Sequence, residues 1–196
     1  MPNTRTLILN HILPLVPFDG WTEHALRAAA KQAGLDAAAA KGAFPRGVKD
    51  CLDYFFTRSD EELKKAFPAE QVAKLKVPER IEALILYRLE HWLPHREAVR
   101  RAVARQALPW NMPHSSAGLY RLVDLMWRLS GDHSLDFSFY TKRATLAALY
   151  TSTLLVWLDD RSDNLADTRA FLKRRLMNIA DFGRFKKQLR KRAGGT

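Results

Sequence analysis

Ala and Leu dominate this chain, Val and Ile are sparse, and no segment keeps a clean alternation of period two. Strands need that alternation or β-branched runs, whereas Ala and Leu lose least on entering a helix. The pattern therefore predicts an all-α fold. Gly and Pro punctuate it, and reading between them gives helices over 4–13, 22–33, 36–42, 46–57, 60–65, 69–75, 78–92, 95–107, 113–130, 138–159, 163–179 and 181–191. Thr22 and Asp36 are placed to cap helices, Ser59 is followed by acidic Asp60, Glu61 and Glu62, and Pro78 suits a first turn. From Pro78 onward, Ile81, Leu84, Ile85 and Leu89 share one face, with Arg80, Glu82, Arg88 and Glu90 largely elsewhere.

A chain of 196 residues buries a substantial core without staples. Cys51 is the single cysteine and reads as a buried, inert thiol in a reducing compartment. Residues Met1 to Asn10 carry no secretory or transit pattern. The longest uncharged stretch, Ala144 to Leu158, is fifteen residues and falls short of the roughly 20 a membrane span needs.

The net charge of +11 raises nucleic acid or an anionic membrane as partner, and its distribution discriminates. From Arg169 to Thr196 there are ten basic residues against one acid, Asp181, so +9 belongs to the C-terminal segment. On a helix, Ile179, Phe182, Phe185 and Leu189 cluster while Arg184, Lys187 and Lys191 lie opposite. Lys186 and Arg190 intrude on the apolar side, where long stems snorkel. This is an interfacial pattern suited to anionic headgroups. A solvated or body-docked basic end is the plain alternative, and a nucleic-acid arm a weaker one.

Near the N-terminus, Trp21 to Asp36 followed by a short helix and Phe44-Pro-Arg-Gly47 has the layout of the helix-turn-helix in TetR-type regulators. Ala28 and Ala29 are the small packing residues, Gly34 makes the turn, Leu35 plugs the core and Asp36 caps the second helix. A working recognition helix offers donors and acceptors to base edges, yet this one reads Asp36, four alanines, Lys41 and Gly42. Five acids balance five bases across Asp19 to Phe56. The scaffold is present and the DNA-reading chemistry is missing.

Catalytic spacings are equally sparse. No GxGxxG, P-loop or GxSxG occurs, and no histidine follows an acid by three residues as a helical di-iron site requires. His91 and His95 have i, i+4 spacing, but Pro94 interrupts them. Gly131-Asp-His-Ser-Leu-Asp136 forms a polar turn before Phe139, Tyr140, Lys142 and Arg143. Its acids could cap the next helix or pair with Arg143, and Asp136 beside two aromatics could instead form a partner patch. Leu119, Leu122, Val123, Met126 and Trp127 face a second apolar set, Leu146, Leu149, Tyr150, Leu154, Val156 and Trp157. Such a pair is either filled core or the lining of an apolar site.

Val16-Pro-Phe-Asp-Gly-Trp21-Thr, Phe44-Pro-Arg-Gly, Gly131-Asp-His-Ser-Leu-Asp136 running into Tyr140-Thr-Lys-Arg143, Leu146 to Thr153 with Asp160-Arg-Ser162, and Thr168 to Leu176 together resemble the Coq-nine family of ubiquinone biosynthesis. The resemblance implies a TetR-like bundle of three parts: a helix-turn-helix domain over 1–57 with DNA binding lost, a lipid-binding and dimerisation domain over 58–178, and a membrane-binding tail over 179–196. It implies a non-catalytic homodimer, without cofactor or metal, that holds an isoprenoid or quinone lipid and presents polyprenyl quinone intermediates to a di-iron demethoxyubiquinone hydroxylase. Asp124, Leu125, Met126, Asp136, Phe139, Tyr140 and Arg143 would meet that partner. Leu119, Leu122, Val123, Met126, Trp127, Leu146, Leu149, Tyr150 and Leu154 would meet the lipid. Ile179, Phe182, Phe185, Lys186, Lys187, Leu189 and Arg190 would meet an anionic membrane. The family commonly has Trp-Tyr where this chain has Phe139-Tyr140, which keeps the apolar anchor and loses an indole donor. A bacterial cytoplasmic protein, peripheral to the inner membrane and free of nucleic acid, fits this reading. A TetR-type regulator with a hydrophobic effector is the alternative.

Overall fold

The computed structural model describes residues 3–68, 74–131 and 138–193; side chains are described through Ile179, those of Ser138 and Phe139 excepted. Among the described residues the chain is all α-helical. The helices are α1 (Thr4–Ile12), α2 (Val16–Asp19), α3 (Glu23–Gln32), α4 (Ala37–Ala43), α5 (Val48–Ala66), α6 (Val77–His91), α7 (Arg96–Gln106), α8 (Met112–Leu129), α9 (Ser138–Asp159) and α10 (Ala166–Ala193).

The N-terminal unit follows from local chemistry. Thr22 Oγ1 accepts the Ala25 N–H at 3.1 Å and Asp36 Oδ1 accepts the Ala39 N–H at 2.7 Å, so both anticipated caps form. Gly34 makes the turn at φ +71°, and the Leu35 N–H reaches back to Ala30 O. Ala25, Ala29 and Ala30 are buried, so close packing falls there rather than on partly buried Ala28. The Phe44-Pro-Arg-Gly47 segment also has a specific task. Glu23 Oε1 accepts the Val48 N–H at 2.7 Å, capping α5 from another helix, and a Cβ at Gly47 would lie 2.1 Å from that oxygen. With φ at +66° as well, only glycine fits position 47.

Two pairs of anticipated helices are single helices. The helices anticipated over 46–57 and 60–65 are one helix, α5, starting at Val48, because Ser59 is a buried mid-helix residue and not a cap. Its Oγ accepts the Trp92 indole N–H at 2.7 Å, while Asp60 is drawn to Arg88. Likewise 163–179 and 181–191 run on as α10 from Ala166, since nothing between Asn178 and Asp181 breaks a helix. The short α2 was not anticipated, and the helix read over 69–75 falls mostly outside the described residues.

The two halves meet on α5. Phe55 lies between Trp21, at 5.7 Å between centroids, and Trp92, at 5.5 Å and stacked. Trp21 donates to Ala98 O on α7 at 3.0 Å. Arg88, only 3 % exposed, stacks over Trp92 and pairs with Asp60 at 2.5 Å. Its helix, α6, carries the anticipated stripe of Ile81, Leu84, Ile85 and Leu89, all buried, and packs against α5, α8, α9 and α10.

The α9–α10 junction is fastened by buried Asp160. One carboxylate oxygen accepts the Ser162 N–H and Oγ–H at 2.8 and 2.5 Å; the other accepts the Thr168 N–H and Oγ1–H at 2.9 and 2.5 Å. Burial alone would raise this carboxyl, but the four donors overcome it and hold its pKa at about 2, below the usual 3.8. A lowered folded-state pKa adds stability above pH 3.8 that is lost as pH falls through about 2. Asp160→Asn is therefore expected to cost about 2 kcal/mol at neutral pH, with a smaller penalty at pH 2, read by urea unfolding across that range.

Candidate functional site

Three surfaces and one buried seam hold the residues singled out from the sequence. The seam lies between α8 and α9. Leu122, Val123 and Met126 are buried on α8, with Leu119 and Trp127 partly buried; Leu146, Leu149, Tyr150 and Leu154 are buried on α9. Seven of the nine belong to the molecule's hydrophobic core, which also takes in residues of α1, α5, α6 and α10, and Leu119 and Trp127 pack against it. The buried indole N–H groups of Trp127 on α8 and Trp157 on α9 have no hydrogen-bond partner among the described residues.

The second region is the end of that seam near the polar turn. Arg143 is 6 % exposed and donates to Asp124 Oδ1 through Nε at 2.9 Å and Nη2 at 2.6 Å, while Arg128 reaches the other Asp124 oxygen at 2.8 Å. Asp124 thus joins α8 to α9. Met126 is fully buried and Leu125 partly so, whereas Tyr140 is 71 % exposed. Of the anticipated partner residues, Asp124 and Tyr140 reach the surface, and Arg143 and Met126 stand behind them. Asp136 lies outside the described residues and Phe139 contributes only its helical backbone.

The third region is the C-terminal stretch of α10. The helix extends to Ala193, and Met177 and Ile179 are exposed at 57 % and 39 %. Side chains of Phe182, Phe185, Lys186, Lys187, Leu189 and Arg190 lie outside the described set. Among the described residues no helix is long and apolar enough to cross a membrane.

On the helix-turn-helix surface, α4 buries none of its side chains. Lys41 Nζ is turned onto Pro45 O at 2.8 Å, and Arg46 is taken up by Asp50 at 2.5 Å and Asp53 at 3.4 Å. Asp50 is buried, and although burial opposes its charge, bonds from Arg46 lower its pKa. Two of the five bases of this unit are thus spent within it.

The sequence reading missed one polar centre. Arg88, placed off the apolar stripe, is a buried hub that pairs with Asp60, stacks over Trp92 and lies near Tyr150 of α9. Burial first, against the pull of Arg88, pushes the Tyr150 hydroxyl upward in pKa. The signal that could have found it is Trp92, one turn after Arg88, where a guanidinium stacks. His91 and His95 do not converge on an ion; His91 bonds Glu62 at 2.7 Å, and no group of three or more His, Cys, Asp or Glu suited to a metal exists among the described residues. Cys51 is buried, and burial pushes its thiol to about 12, as an inert core residue requires.

Comparison with known proteins joins these observations. Residues 112–183, which span α8, α9 and the start of the basic segment, match the COQ9 family model. The chain is 34 % identical to the human mitochondrial ubiquinone biosynthesis protein COQ9 over 190 residues, covering 93 % of this chain and 59 % of that protein. It is 30 % identical to the Schizosaccharomyces pombe mitochondrial ubiquinone biosynthesis protein coq9 over 177 residues, covering 89 % of this chain and 69 % of that one. It therefore spans about three fifths of the length of its human relative. In three dimensions it is similar to a TetR transcriptional regulator from Nitrosomonas europaea, with a TM-score of 0.75 at 22 % identity, over 90 % of this chain and 97 % of that one. At that identity the likeness establishes the fold and nothing about DNA. The fold is TetR-like, and the chain belongs to the COQ9 family of ubiquinone biosynthesis proteins.

Proposed function

We propose that this chain is a non-catalytic, membrane-peripheral accessory protein of ubiquinone biosynthesis that binds a polyprenyl quinone intermediate and presents it to a di-iron hydroxylase. The observation that carries the reading is similarity to ubiquinone biosynthesis proteins along nearly the whole chain. The apolar residues that α8 and α9 contribute to the core support the lipid part, and the indole donors of Trp127 and Trp157, without partners among the described residues, suit a ligand that carries carbonyl oxygens on an apolar body. The exposed Tyr140 beside the Asp124–Arg143 pair supports partner docking, with an aromatic anchor standing on a rigid charged base. Along α9, Ala144, Ala148, Thr151 and Leu155 form an exposed face without charge, which suits the pairing of two copies. The basic apolar pattern of the last helix suits an anionic membrane, on the cytoplasmic side of a bacterial inner membrane. The neutral surface around α4, with Lys41 and Arg46 tied back, weighs against the transcriptional alternative.

Three results test this reading. Mass spectrometry of the purified protein is expected to find a polyprenyl quinone or related isoprenoid, by co-purification or after incubation; its consistent absence contradicts lipid binding. Tyr140→Ala and Asp136→Asn are each expected to weaken capture of the hydroxylase by about tenfold while leaving bound lipid unchanged, and equal loss of both would assign these residues to stability instead. Replacing Phe182, Phe185 and Leu189 with Ser is expected to lower flotation with anionic liposomes by at least about tenfold, with helicity and melting preserved; unchanged flotation contradicts the role given to the tail.

A further inference from the structure

Among the described residues, the most exposed large apolar side chains lie far from the C-terminal segment in sequence. Phe18 on α2 is 84 % exposed, and Trp110 in the 3₁₀ turn of Pro109–Asn111 is 75 % exposed. Their neighbours Leu108 and Met112 are 37 % and 55 % exposed. The chain's other tryptophans show the contrast: Trp21, Trp92 and Trp157 are buried and Trp127 partly so.

Neither aromatic sits on a loose strand of chain. Both are braced on the C-terminal half of α7. Arg101 Nη2 donates to Pro17 O at 2.7 Å, and Arg105 Nη1 to Trp21 O at 3.3 Å, which fixes the backbone on both sides of Phe18. The Asn111 side chain donates to Arg105 O at 2.8 Å, and Ser115 Oγ lies 2.9 Å from Gln106 O and 2.8 Å from Asn111 O, which fixes the turn that carries Trp110. Holding a Trp and a Phe out in water on ordered backbone costs hydration free energy, and it is retained where something covers them.

The surrounding charge indicates the cover. α7 carries four arginines against one acid, Glu97, which is itself paired with Arg100 and Arg101. Arg105 is exposed beside the aromatics; Asp19 is the one acid next to Phe18. Aromatic tips flanked by arginines match the boundary of an anionic bilayer, where rings enter the acyl edge and guanidinium groups meet phosphates.

We propose that Phe18 and Trp110, with Arg101 and Arg105, form a second contact with an anionic membrane surface, separate from the C-terminal helix. The inference rests on the reading of the chain as membrane-peripheral and adds an orientation to it: a helix alone tethers, whereas a second contact on the body sets which face of the bundle meets the lipid.

Trp110 makes the test direct, because it is the most exposed of the five tryptophans. Full-length protein is mixed with vesicles of phosphatidylcholine and phosphatidylglycerol, with and without brominated acyl chains. The expected result is a blue-shifted tryptophan component quenched by the brominated lipid and absent from Trp110→Phe. The double variant Phe18→Ser with Trp110→Ser is expected to partition into these vesicles at least about tenfold more weakly, with wild-type helicity and melting. Vesicle-bound protein whose Trp110 emission stays water-like and unquenched overturns the second contact and leaves the tail's role intact. Absence of any vesicle binding by the wild type overturns both. A double variant that binds vesicles normally but no longer captures the hydroxylase reassigns the patch to a protein partner and overturns the proposal.

Discussion

The stack of Trp21, Phe55 and Trp92 on α5 is the interaction on which the rest of the molecule depends. It is the point where the helix-turn-helix unit, α6 and the start of α7 meet, and both tryptophans also have a polar or charged tie. Trp21 bonds Ala98 O, Trp92 bonds Ser59, and Arg88 lies over Trp92 with Asp60 beside it. A buried ion pair contributes little net stability by itself, but its removal by halves leaves an uncompensated charge. Its value here is registry. Arg88 can meet both Asp60 and Trp92 only when α5 and α6 hold one relative arrangement.

From that frame the functional regions follow as two different kinds of surface. α8 and α9 both feed the apolar core, and the Arg143–Asp124 pair, with two guanidinium nitrogens on Asp124 Oδ1, pins the two helices together. The outer surfaces divide by charge. The N-terminal unit balances five bases with five acids and ties back Lys41 and Arg46, whereas the C-terminal segment concentrates +9 of the chain's +11. The fold is TetR-like, and the charge it carries is concentrated in the C-terminal segment rather than on the helix-turn-helix unit.

Much of this was legible in the sequence because it depends on short-range rules. The caps at Thr22 and Asp36, the turn at Gly34 and the α6 stripe depend on local hydrogen bonds and a 3.6 period, and all are present. What escaped depends on partners distant in sequence. Ser59 reads as a cap until Trp92, 33 residues on, is seen to need its oxygen, and so α5 was divided where it is continuous. Arg88 reads as a surface charge until α5 and α9 are placed beside it. The site lists were legible as groups, since periodicity collects Leu122, Val123 and Met126 on one face, but periodicity does not distinguish a filled core from a lined site. The division of Asp124 and Tyr140 from buried Met126 and Arg143 likewise needed three dimensions.

The central claim is that this protein acts on a lipid by presenting it, not by transforming it. Reconstitution of the partner hydroxylase in anionic vesicles that carry demethoxyubiquinone, with this chain present or absent, tests that claim most directly. The account predicts that the chain accelerates hydroxylation by the partner and converts no quinone alone. Turnover by the chain without the hydroxylase, or a hydroxylation rate indifferent to its presence, would contradict it.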